Sequence, residues 1–241
     1  LADFISAPYL WYLKHYLRLR TASYEPDSVS KVTLGSLLHR ILASYAISIR
    51  DNGIHYFESA SEHLLRDLEA EIAICFIEKT SQFQFQIEYL RAWVKRFLVA
   101  ERSRLNEGWL PSLVEQNVQR DCSISSITVK GRVDRLDINI DSETCCLLDY
   151  KLSPKNDQTK QLTSRDSGLQ LFIYRWILSP NYSNLAAGLY SPIAKNYIHW
   201  ADIDSEKIEA SFTLIEEALS RLKAGRLEIE KPSFNKYFDT F

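Results

Sequence analysis

The sequence predicts an α/β domain in which a helical N-terminal part, residues 1–110, packs on a central mixed sheet flanked by helices, residues 111–241. Two observations carry that expectation. Apolar residues recur at helical spacing through the first 110 positions, and the texture then changes near Leu113 to runs rich in Val, Ile and Thr. The order of segments is helices, three or four antiparallel strands, a helix, two strands and a helix, which suits one sheet covered by helices.

The elements follow in chain order. Leu34, Leu37, Leu38, Ile41, Leu42, Tyr45 and Ile49 form one helical stripe, and Asn52-Gly53 supplies its stop. Two further helical patterns run from Ala60 to Lys79 and from Phe83 to Leu105. Alternation in Ile127-Thr128-Val129-Lys130 and in Val133 to Ile138 marks strands, with Asp141-Ser142 as the turn of a hairpin. A polar loop, Ser153 to Ser167, has a length usually associated with function or mobility. An apolar helix follows from Leu169 to Leu178, stopped by Pro180. Ala186 to Tyr190 and Tyr197 to Ala201 read as strands, and a last amphipathic helix carries Ile208, Phe212, Ile215, Leu219 and Leu222 and ends near Gly225.

Composition bounds the rest. With 46% hydrophobic and 25% charged residues, and only seven Gly and seven Pro, no linker divides the chain, so a single domain over 1–241 is expected. A net charge of -2 gives no basic signature, and any nucleic-acid contact must come from a local patch. The four cysteines show no metal-type spacing, and adjacent Cys145 and Cys146 on a strand would point to opposite faces. A reduced cytosolic interior fits them better than a disulfide framework. No apolar run reads as a membrane span, so a membrane is not expected as a partner. The absence of Met and the start at Leu1 suggest a fragment of a larger protein.

The chemistry concentrates in Gly131-Arg132-Val133-Asp134-Arg135-Leu136-Asp137 and Leu147-Leu148-Asp149-Tyr150-Lys151. Asp149 and Lys151, two apart on a strand, share a face, whereas Leu148 and Tyr150 point the other way. An acid and an ammonium beside Leu147 and Leu148 would be costly to bury unpaired, and a cation between acids removes that cost. Asp134 lies on the hairpin partner, where opposed side chains come within about 5 Å. Asp137, three residues on, faces the opposite side. Two carboxylates holding a hard cation, with an ammonium beside the attacking water, are the parts of a magnesium-dependent phosphodiester nuclease. The alternative is a solvated strand face. Glu115, in the apparent strand Leu113-Val114-Glu115, is a third acid: a direct ligand, a ligand through a bridging water, or an exposed strand acid. His39 falls at the edge of the first helical stripe, between Gly35 and Ala43, whose small size would let another element or a ligand approach. Gln170 and Tyr174 share a face of the helix after the polar loop. The Gln170 amide needs a partner, which could be strand backbone, a site carboxylate or a phosphate.

These residues, taken in order, resemble the RecB-like branch of the PD-(D/E)xK nuclease superfamily, especially the C-terminal nuclease domain of AddB-type recombination subunits. Leu34-Gly35-Ser36-Leu37-Leu38-His39-Arg40-Ile41-Leu42 is similar to that family's helix bearing a metal-binding histidine. The segments Gly131 to Asp137 and Leu148 to Lys151 are similar to its second and third motifs, and Gln170-Leu171-Phe172-Ile173-Tyr174 to its Q-x-x-x-Y helix. Glu115 falls where the family often carries an acid. The resemblance implies a restriction-endonuclease-like core in which His39, Glu115, Asp134 and Asp149 bind Mg²⁺ or Mn²⁺, and Asp134, Asp149 and Lys151 are catalytic. Gln170, Tyr174, Arg132, Arg135, Lys155 and Lys160 are then expected to support the site or hold phosphates. It also implies DNA ends or single strands as substrate, a helicase subunit or fused helicase-like domains as partner, and the bacterial cytosol as location. One departure matters. Ala7 stands where many relatives place the first cysteine of an iron–sulfur cluster, and no cysteine follows Cys146, so no iron–sulfur cluster is expected. The rival reading is a catalytically silent DNA-binding or scaffold module of a recombination helicase–nuclease complex, although the acid, acid and lysine set is intact here.

Overall fold

The computed structural model describes residues 1–19, 29–76, 81–122, 125–152, 168–182, 185–190 and 205–226. The expected strand 197–201, the loop 153–167 and its Lys155 and Lys160 lie outside the described residues.

Two short N-terminal helices, α1 (Ala2–Ser6) and α2 (Pro8–Trp11), continue into a π-helical turn at Tyr12–Tyr16. Three long helices follow: α3 (Lys31–Asn52), α4 (Phe57–Cys75) and α5 (Ser81–Asn106). Ser30 caps α3, its hydroxyl accepting the Thr33 N–H at 3.1 Å. Gly53 ends it with φ +80, a conformation that residues with a Cβ resist. Then come β1 (Trp109–Cys122), β2 (Ile127–Asn139), β3 (Thr144–Tyr150), α6 (Gly168–Leu178), β4 (Leu185–Tyr190) and α7 (Ser205–Lys223).

The sheet has the order β1-β2-β3-β4. The first three strands are antiparallel and β4 runs parallel to β3, so α6 lies on the crossover between them. Side-chain alternation divides β3 between two cores. Cys146, Leu148 and Tyr150 join the stripe of α3 and the apolar faces of α4 and α5. Cys145 and Leu147, with Val133 and Leu136 of β2, pack against Leu171 and Phe172 of α6. The two adjacent cysteines therefore do point to opposite faces, and both are free thiols. A third cluster brings Leu1 and, from α1, Ile5 onto Trp176 of α6 and Ile215 and Leu219 of α7, an apolar tie between the N-terminal segment and the helix α7.

One sequence expectation needs correcting. By length and composition α3 is apolar enough to cross a membrane. Its stripe from Leu34 to Ile49 is instead buried against α4, α5 and the sheet, which is how a central helix of a helical layer satisfies the same composition.

Candidate active site

The site forms where strand register and the α3 layer meet. The pairs Val114↔Arg135 and Gln116↔Val133 set Glu115 opposite Asp134, and Arg135↔Leu148, one step on, sets Asp134 level with Asp149. Glu115 adopts φ +48, uncommon for a residue with a Cβ, at this point of β1. From α3 comes His39, a third exposed, with Nδ1 3.4 Å from Asp134 Oδ1 and 3.7 Å from Glu115 Oε1. One ligand atom from each of His39, Glu115 and Asp134 lies within 4.8 Å of the others. A Cβ at position 35 would meet nothing within 4 Å, so the small neighbour of His39 leaves open space on that row.

Asp149 and Lys151 share the face expected of them. Lys151 Nζ lies 2.6 Å from Asp149 Oδ2; the acid is buried, while the lysine keeps about a third of its surface in solvent. The Tyr150 N–H, between them, donates to Asp134 Oδ2 at 3.1 Å and fixes that carboxylate across the strands.

The electrostatics follow from crowding acids at the edge of a core. Burial pushes the Asp149 carboxyl up to about 6, more than Lys151 beside it pulls it down, and the Asp134 charge adds to the rise. Burial, then the Asp134 charge, raises the Glu115 carboxyl above its usual range. The His39 imidazole is raised by its hydrogen bond to Asp134, against the opposing effect of burial. A cation relieves all three at once. The donor set of carboxylate oxygens and one imidazole suits a divalent cation of the Mg²⁺ or Mn²⁺ kind. Glu115 Oε1 is moreover buried without a hydrogen-bond donor, an acceptor left for such an ion.

The supporting residues divide. Arg132 is well exposed, with Nε 2.7 Å from Glu115 Oε2, so its guanidinium borders the cluster and reaches solvent. On α6, the Gln170 amide donates to the Tyr174 hydroxyl at 3.1 Å, and the Arg132 backbone N–H also bonds that hydroxyl. The partner of Gln170 is thus Tyr174, and through it the β2 backbone. Arg135 corrects the sequence reading. It has no solvent exposure and cannot touch DNA. Its guanidinium forks onto Asp137, Nε to Oδ1 at 2.5 Å and Nη2 to Oδ2 at 2.9 Å, and Nη1 reaches Glu101 Oε2 at 2.7 Å. The two arginines, three apart on β2, differ in what covers them: Arg132 reaches solvent, whereas Arg135 is enclosed by Glu101 of α5 and Tyr150 of β3.

Sequence reasoning missed Glu101 and Arg104 of α5, both buried. Their signal was present: they continue the stripe of Leu90, Val94, Phe97 and Leu105, where a charge is unexpected and needs a buried partner.

A profile of the PD-(D/E)XK nuclease superfamily matches residues 1–233. No curated protein sequence matches the chain. The match spans the helical layer, the sheet and the acid, acid and lysine set alike: this chain belongs to the PD-(D/E)XK nuclease superfamily, whose members are metal-dependent nucleases.

Proposed function

We propose that the chain is a Mg²⁺- or Mn²⁺-dependent deoxyribonuclease, acting as an exonuclease on DNA ends or single strands that a helicase delivers during double-strand-break repair and recombination. One observation carries the reading: His39, Glu115 and Asp134 present ligand atoms within 4.8 Å of one another, beside a buried acid paired with a solvent-reaching lysine.

His39, Glu115, Asp134 and Asp149 would hold the cation. When bound, a divalent cation supplies charge neutralisation at phosphoryl oxygens and makes water a better nucleophile at neutral pH. Lys151 is anchored through Asp149 and cannot itself ligate a cation, so its ammonium orients the attacking water and donates to a phosphoryl oxygen as charge develops there. Arg132 offers a second cation for a neighbouring phosphate. The exonuclease and helicase parts of the reading rest on the five motifs and their resemblance to AddB-type subunits.

The test is cleavage of end-labelled single- and double-stranded DNA with Mg²⁺, Mn²⁺ or EDTA. Cleavage with either metal and none with EDTA is expected, with mononucleotide or short products released from an end. Internal fragments would replace exonuclease with endonuclease action. Metal and DNA binding without cleavage would turn the reading to the silent scaffold.

A further inference from the structure

Behind the site lies a cluster of charges that the nuclease reading does not use. Glu101, Arg135 and Asp137 have no solvent exposure, and Arg104 is 5% exposed. Asp137 Oδ2 accepts from Arg104 Nη2 at 2.7 Å as well as from Arg135, and the Arg104 guanidinium sits 5.0 Å over the Trp109 ring. The network joins α5 to β1 and β2. It reaches β3 at Cys146, whose thiol hydrogen-bonds Arg104, and at Tyr150, whose hydroxyl lies 3.4 Å from Arg135 Nη1.

Tyr150 is where the network meets the site. Its ring stands edge-on to the His39 imidazole, with centroids 5.7 Å apart and planes at 89°, and is braced behind by Phe97. Its N–H holds Asp134. In the chain it lies between Asp149 and Lys151. One residue thus contacts or flanks four side chains of the site, and its far end is held by buried charges. Such networks are a poor source of net stability, because well-packed apolar residues often do as well, so orientation of the groups they touch is the role to test here. A metal centre needs that, since its ligands must be held within about 0.5 Å.

We propose that Arg135, clamped by Glu101 and Asp137, is a positioning residue for the candidate metal centre and acts on His39 and Asp134 through Tyr150. The inference rests on the metal-nuclease reading above.

The test uses the full chain and Mn²⁺ alone as the probe. In a four-residue variant, Glu101→Leu, Arg104→Met, Arg135→Met and Asp137→Leu, the network is replaced by apolar volume. Arg135→Lys keeps the charge and removes the fork that grips Asp137. Thermal midpoint, Mn²⁺ affinity by calorimetry, the Mn²⁺ electron paramagnetic resonance spectrum, and kcat and KM are measured for each. A structural role alone predicts that restored stability restores everything. A positioning role predicts that Mn²⁺ affinity falls at least about tenfold, the spectrum broadens and kcat falls with KM for DNA nearly unchanged, in the apolar variant even where its midpoint matches the parent. Folded variants that bind Mn²⁺ within about twofold of the parent would overturn the proposal. If the apolar variant does not fold, Arg135→Lys decides by the same criterion. Failure of the parent protein itself to bind Mn²⁺ would sink the metal-nuclease reading and this inference with it, whereas parent binding with indifferent variants sinks the inference alone.

Discussion

The Tyr174 ring of α6 occupies the space that a side chain on Gly131 of β2 would need: a Cβ there would come within 2.5 Å of the ring. The glycine that opens Gly131 to Asp137 is therefore the seat of the tyrosine that closes Gln170 to Tyr174. This contact brings the Tyr174 hydroxyl to the Arg132 N–H and holds α6 against the site strands. Gly131→Ala should destabilise the fold by about 1–3 kcal/mol through overpacking. Urea unfolding of the single and double variants checks it. In a Tyr174→Leu background the same substitution should cost at least about 1 kcal/mol less, and strict additivity would refute the contact as the cause.

Asp149 stands as a cost to the metal-free fold. Its carboxyl is raised to about 6, so the folded state binds that proton more tightly than the unfolded chain does. The group's stabilising contribution is complete below about pH 4 and is lost as pH rises through about 6. Asp149→Asn should accordingly raise the stability of the metal-free protein at pH 8, by about 1–3 kcal/mol, while abolishing Mn²⁺ binding and cleavage. Thermal unfolding at pH 8 and calorimetry with Mn²⁺ are the measurements. A variant less stable than its parent at pH 8 contradicts the assignment.

The same crowding gives metal binding a pH dependence. Asp149 and Glu115 are raised by burial and His39 by Asp134, so each holds a proton that a cation must displace as the solution is acidified. Mn²⁺ affinity should fall about tenfold or more as pH drops from 7.5 to 5.5. Calorimetry in buffers of different ionisation enthalpy should show protons released on binding near pH 6. Affinity independent of pH across this range would exclude these groups as ligands.

Lys151→Ala separates ligation from chemistry. An ammonium cannot coordinate a cation, so Mn²⁺ affinity at pH 8 should stay within a few-fold while cleavage of end-labelled DNA falls by about two to four orders of magnitude. Near-normal cleavage would refute the proposed role even with the fold intact.

Arg132 is the exposed arginine of the pair flanking Val133-Asp134. If it holds a phosphate, Arg132→Ala should weaken DNA binding about equally across sequences and reduce the slope of log affinity against log salt by about 1. An unchanged slope would return Arg132 to the single task of holding Glu115.

The local part of this architecture was legible in the chain. The stripe of α3, the alternation of β2 and the two-residue period that aligns Asp149 with Lys151 are short-range patterns, set by backbone geometry alone. So was the hairpin that levels Asp134 with Asp149, because a hairpin's register follows from its turn. Tertiary structure decided the rest. His39 lies 95 residues before Asp134 and joins it only because the α3 layer packs over the sheet end. Arg132 and Arg135 look alike in sequence, yet one borders the site and the other is sealed among Glu101, Asp137 and Tyr150. Strand phase can say that two residues face differently. Which face is covered depends on helices far away in the chain, and a buried arginine is recognisable only once the acids that neutralise it are in place.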